Sequence, residues 1–211
     1  MKKLFAFLLM TGMITFTSCS KKNDAAPASS SNNNSSGTVT IDSSPRITGK
    51  LDGVAYSKVE DGTNVVSMVS REGSLAAYPD TSTGIYGCGF TNGDGSVSYF
   101  AIDRGTLKYV GTVENTDFKA YYTPATYSYN LNLATGIRVI YYDAAGEIWS
   151  TDQGSQNQSG STFVITDRKE FSGLSGYDIK VKATFNCKLY NTTGQVKTFT
   201  EGVFVGFFEN M

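Results

Sequence analysis

Apolar and polar positions divide the chain into three stretches of different rhythm. Residues 4–16 are apolar apart from Thr11, Gly12 and Thr15, and they follow Lys2 and Lys3. Residues 20–37, SKKNDAAPASSSNNNSSG, hold no aromatic residue and no hydrophobic period. Beyond Thr38 the rhythm becomes two residues long. Between Tyr177 and Tyr190, the residues Ile179, Val181, Ala183, Phe185, Cys187 and Leu189 fall on one face. Lys180, Lys182, Thr184, Asn186 and Lys188 fall on the other. Such alternation predicts a strand with one face wet. Asn191-Thr192-Thr193-Gly194 predicts a turn, and residues 195–209 return. There Val203, Phe204, Val205, Phe207 and Phe208 are apolar enough to be buried on both sides. A C-terminal hairpin is expected.

Turn chemistry marks further hairpins. Asp52-Gly53 separates 47–51 from 54–57, and Asn92-Gly93-Asp94-Gly95 separates 86–90 from 97–102. Both tolerate positive φ. Asp143-Ala144-Ala145-Gly146 joins 137–142 to 147–151, and 163–166 adds a strand. Residues 65–78 are ambiguous: Val65, Val66, Met68 and Val69 suit a helical turn, while Gly73 and Pro79 favour short strands. The polar loop 152–160, DQGSQNQSG, reads as a mobile excursion. About ten short strands without a long helix predict an all-β domain, an antiparallel β-sandwich or a partly closed barrel.

The opening stretch has the order of a signal peptide: a basic start, a short apolar run, then small residues. The run is shorter than the roughly 20 residues that span a bilayer. Phe16-Thr17-Ser18-Cys19 resembles a lipobox, although Leu or Val is commoner where Phe16 stands. The resemblance implies cleavage before Cys19 and acyl chains on its thiol and its amine. One acyl chain holds a membrane marginally, whereas two or more anchor stably. The expected organisation is a lipoprotein signal peptide at 1–18 and a lipidated cysteine with a flexible Ser/Asn-rich linker at 19–37. A single all-β domain follows at 38–211. The linker cannot bury enough apolar surface to offset its ordering entropy. Its second position is Ser20, which resembles outer-membrane sorting, and it can face the periplasm or the cell surface.

Composition then narrows the chemistry. The chain has no His, which removes Ser-His-Asp and Cys-His catalysis and His-based metal sites. No catalytic residue, metal site or cofactor is expected. Loss of Lys2 and Lys3 from 18 basic residues leaves 16 against 19 acidic ones, a net of −3, which argues against a nucleic-acid partner. The carboxylates Asp143, Glu147 and Asp152 crowd one turn and are the enzyme candidates, since a glycosidase needs two converging acids. Asn92-Gly93-Asp94-Gly95 lacks the later Glu of a calcium loop. With Cys19 lipidated, Cys88 and Cys187 remain. Both sit on apolar strand faces, and either a disulfide or two separate buried thiols would suit an oxidising envelope. A bond over that separation contributes up to about 4.7 kcal/mol in the chain-entropy model. The chain carries 13 Tyr, 13 Phe and one Trp. Trp149, Tyr141 and Tyr142 share one expected hairpin and are the ligand-binding candidates, as rings that stack on a sugar or a peptide; core packing is the plainer role. Tyr121, Tyr122, Tyr127 and Tyr129 cluster around Pro124.

Ile47-Thr48-Gly49-Lys50-Leu51-Asp52-Gly53-Val54-Ala55-Tyr56 is similar to the opening strand and turn of a family of small Bacteroidota lipoproteins with domains of unknown function. Ala183-Thr184-Phe185, Gly194-Gln195-Val196 and Thr200-Glu201-Gly202-Val203-Phe204 resemble its closing hairpin. The resemblance covers about a quarter of the chain. It implies a β-rich fold and an envelope address, and brings no catalytic residues. The expected function is a membrane-anchored outer-membrane lipoprotein that binds or scaffolds a glycan, a peptide or an envelope protein without catalysis. The alternatives are a carboxylate-dependent hydrolase of envelope polysaccharide, and a domain whose edge strand accepts a strand from another chain.

Overall fold

Two-residue alternation and turn chemistry set the elements of this protein, which a computed structural model describes over residues 38–130, 135–172 and 176–210. In chain order they are β1 (Arg46–Leu51), β2 (Val54–Val59), β3 (Val65–Ser74), β4 (Thr81–Asn92) and β5 (Tyr99–Val110). Then come α1 (Asn115–Tyr121), β6 (Ala125–Tyr127), β7 (Ile137–Tyr142), β8 (Ile148–Ser150), β9 (Thr162–Ser172), β10 (Tyr177–Tyr190) and β11 (Val196–Asn210). The strands pair antiparallel in the order β2-β1-β11-β10-β8-β7-β5-β4-β3, with β9 beside β10 and β6 beside β9. The protein is all-β. Its sheet curls into a half-barrel, so the partly closed barrel is the better of the two expected architectures.

The expected hairpins form. Asp52 and Gly53 both take positive φ (49° and 79°) in the β1–β2 turn, the combination a two-residue hairpin loop requires. The ambiguous stretch 65–78 yields one ten-residue strand, β3, paired with β4 from Val65↔Asn92 to Ser74↔Thr83. The curl has a visible cause in β11. At Glu201, with φ 53°, the register slips against both neighbours at once, between Phe185 and Cys187 of β10 and between Thr48 and Lys50 of β1. A bulge there bends the strand and strengthens its twist. The sheet therefore rolls until β11 lies against β4. Phe90 meets Phe204 edge to face at 6.2 Å. Gly206 leaves room for Cys88, whose sulfur would lie 2.7 Å from any Cβ at that position.

Inside the roll, aromatic rings fill the space. Tyr56, Phe100, Phe163, Phe185 and Phe199 form a chain of ring contacts at 5.1–5.8 Å, with Phe185 stacked flat on Phe199. Helix α1 covers one end with Phe118 and Tyr121, which pack on Tyr86. Arg104 of β5 fixes that cover. It donates to the carbonyls of Tyr121 and Gly136 at 2.8 Å and lies between the rings of Tyr121 and Tyr127.

Two expectations need correction. The loop after β8 is not a free excursion but the filling of a fork. One edge of β10 is shared by β9, up to Asn186↔Thr162, and by β8, at Tyr190↔Ser150. Between them the Gln158 amide takes a strand's place: its Nε2 donates to Lys188 O at 2.6 Å and its Oε1 accepts from Lys188 N at 3.0 Å. Tyr190 Oη also donates to Asn157 O at 2.8 Å. The polar face of β10 is likewise not all wet. Lys180 is buried: its ammonium donates to Ser43 O at 2.9 Å and rests over Phe207, while Lys169 pairs with Asp42 at 2.6 Å. The segment before β1 thus lies across the outer face of β9 and β10.

Candidate functional site

On the outer face of β3, β4, β5 and β7, one guanidinium gathers three carboxylates. Ser70, Gly87, Asp103 and Arg138 lie level along the register Ser70↔Gly87, Gly87↔Asp103 and Asp103↔Arg138. Gly87 makes this possible, because a Cβ there would sit 2.3 Å from Asp103 Oδ1 and 2.5 Å from Ser70 Oγ. Arg138 donates to Asp103 through Nε (2.8 Å) and lies 2.6 Å from it through Nη2. Its Nη2 is 3.4 Å from Glu72 Oε2 and its Nη1 is 3.6 Å from Asp152 Oδ2. Asp152 also accepts from Ser150 Oγ and is braced through its carbonyl by Gln156 Nε2 at 2.8 Å.

The acids differ in depth. Asp103 is 6% exposed, and burial raises its pKa although Arg138 opposes the shift. Glu72 and Asp152 reach solvent on either side of the guanidinium. Beside them opens a groove of about 310 Å³, floored by Arg138 and Ile140 and walled by Glu72, Asp152, Tyr142 and Ile148. Tyr142 is steadied against Tyr99, with ring centroids 5.4 Å apart. The groove therefore offers fixed charges of both signs, a ring and an aliphatic edge.

The aromatic trio expected to bind ligand does not assemble. Tyr141 points into the roll, against Tyr56 and Phe100 at 5.9 and 6.0 Å. Trp149 is opposite it and only 5% exposed, with Lys197 over its ring at 4.2 Å and its Nε1 donating to Asp143 Oδ2 at 3.1 Å. Only Tyr142 faces the groove. Tyr121, Tyr122 and Tyr127 are buried, and the Tyr129 hydroxyl lies 2.7 Å from Asn186 O. They are packing residues.

The carboxylates also separate. Asp143 is committed to its own turn, accepting from Ala145 N and Glu147 N at 3.0 Å. Glu147 accepts from Asn191 Nδ2 at 2.7 Å. Asp152 alone of the three joins the cluster. The Asn92–Gly95 segment is a turn, closed by Asp94 Oδ1 accepting from Ser96 N at 2.9 Å. Cys88 and Cys187 are two free, buried thiols, not a disulfide. Cys88 is packed under Gly206 on β4, while Cys187 pairs with Phe199 on β10, and strands β8, β7 and β5 stand between them in the sheet. Burial raises both thiol pKa values, that of Cys88 to about 12. Cys19 lies outside the described residues.

Sequence reasoning missed Glu72, Asp103 and Arg138. The available signal was polarity inside apolar strands: Asp103-Arg104 follows Phe100-Ala101-Ile102, and Arg138 lies between Ile137 and Val139. A charge there must find a partner across the sheet. Among the described residues no cluster of three or more Cys, Asp or Glu is arranged to hold a metal ion. No family model matches the chain, and no curated protein or solved structure matches it.

Proposed function

We propose that this chain is a lipid-anchored envelope protein of the outer membrane, and that its rolled sheet is a non-catalytic binding module. The groove beside Arg138 would receive a hydroxyl-rich ligand such as an envelope glycan. The observation that carries the reading is the placement of Glu72, Arg138 and Asp152 next to the Tyr142 ring. Pre-positioned carboxylates and a guanidinium hydrogen-bond to hydroxyls without reorganising, while a ring and an aliphatic edge take the apolar side of a sugar. The lipobox-like Phe16–Cys19 segment supports the anchor.

Convergence of three acids, one with a raised pKa, also fits the hydrolase alternative. A general acid must reach the bond it protonates. Asp103, the acid with the raised pKa, lies beneath Arg138 and out of reach, which favours binding over cleavage.

Calorimetric titration with peptidoglycan and outer-membrane polysaccharide fragments tests the proposal. Saturable binding is expected, with no cleaved product after prolonged incubation. The paired change Glu72→Gln and Asp152→Asn should weaken binding about tenfold or more, roughly 1.4 kcal/mol, with the thermal midpoint little changed. Release of shortened fragments would transfer the site to the hydrolase. No saturable binding to any fragment would remove the glycan ligand.

A further inference from the structure

The loop between β3 and β4 presents Leu75-Ala76-Ala77-Tyr78-Pro79, five consecutive residues without a charge. Leu75 is 78% exposed and Tyr78 81%. A run of exposed apolar residues gains nothing by facing water and marks a contact surface. Val110, at the end of β5, is half exposed and adjoins it. The same loop borders two open grooves of about 550 and 490 Å³ on either side of residues 109–113, one reached by Tyr78 and the other by Leu75.

What lies against this surface follows from where the chain enters the domain. Asp42 and Ser43 are fixed to Lys169 and Lys180. Lys180 is three residues from Tyr177, which pairs with Asn210. The Asn210 side chain donates to Val113 O at 2.9 Å, and Val113 lines both grooves. The entering chain and the apolar loop are therefore at the same end of the sheet. Trp149 and the Tyr142–Ile148 turn are at the other. Eighteen residues separate Cys19 from Thr38, and a chain of that length reaches at most about 65 Å however it is arranged.

We propose that the Leu75–Pro79 loop and Val110 dip into the lipid surface to which the protein is anchored, so that the outer-face groove is presented away from it. The inference rests on the reading that Cys19 is acylated. Leu and Pro suit the acyl boundary and Tyr the headgroup level, where its ring and hydroxyl meet different surroundings. Lys108 lines the first groove beside Glu114 and Asp117, while Arg71, which lines the second, is held by Tyr109. An amphipathic loop adds the orientation that an acyl anchor alone does not supply.

The test uses native acylated protein in phosphatidylethanolamine–phosphatidylglycerol vesicles, with and without brominated acyl chains. Wild-type protein carries only the Trp149 signal; Tyr78→Trp adds a second emitter at the loop. The expected result is flotation of both proteins, a blue shift of the added emission on vesicle binding, and its loss in brominated lipid while Trp149 emission persists. Flotation with the added emission unquenched would overturn the loop's insertion and leave the anchor standing. Failure to float would overturn the anchor and the inference with it. A concentration-dependent blue shift without vesicles would assign the loop to a second copy of the chain instead.

Discussion

Arg138 holds a buried carboxylate on the outer face of the sheet. Asp103 is buried beneath it, and a buried charge without its partner costs about 3–5 kcal/mol. Arg138→Met should therefore destabilise the protein by about that amount at neutral pH, measured by urea unfolding. The pH dependence has a definite sign. Burial already raises the Asp103 pKa above its ordinary value of 3.8, and loss of the guanidinium raises it further. Between those limits the native state holds a proton that the unfolded chain has released, so stability falls as pH rises through the window. The variant should thus regain stability relative to wild type on acidification toward pH 4. A small deficit, equal at both pH values, would mean that Asp103 is not an uncompensated charge in the variant. The cluster itself was hard to read from sequence, because its members come from β3, β5, β7 and the loop after β8. Asp143, Glu147 and Asp152 are neighbours in sequence, yet Asp143 serves its own turn and Glu147 the turn between β10 and β11, at Asn191. Proximity along the chain is no guide to which acids meet across a curled sheet.

At the scale of elements, the alternating and turn-bounded segments were legible. β10 and β11 follow a period of two, and Asp52-Gly53 is local turn chemistry that needs no tertiary context. What the pattern does not hold is the partner of each strand. The polar composition of residues 152–160 suggested a mobile loop, yet Gln158 supplies a ladder partner by side chain alone. Helix α1 is short, and its buried Phe118 and Tyr121 have meaning only against the end of the roll. Gln158→Ala would leave the Lys188 N–H and C=O without their protein partners. The expected cost is about 1–3 kcal/mol for unsatisfied backbone groups, with faster amide exchange at Lys188 as the local sign. Unchanged exchange at Lys188 would show that the amide is not what closes the fork.

For the molecule as a whole, the physical picture is a polarised body. One end carries the apolar loop at Leu75 and Tyr78 and receives the entering chain, and the outer face carries the groove at Arg138. The core explains the heavy use of Tyr and Phe, since a rolled sheet of this width needs large rings to fill it. That use was visible in composition but its purpose was not: Trp149 and Tyr141 looked like a binding surface and proved to be packing. The proposed binding at the groove and the proposed orientation by the loop both depend on attachment to a lipid surface. Intact-mass and peptide mass spectrometry of protein purified from native membranes tests that attachment most directly. The account predicts a mature chain beginning at Cys19, with acyl chains on its thiol and its amine. An unmodified Cys19, or a chain still carrying residues 1–18, would contradict it.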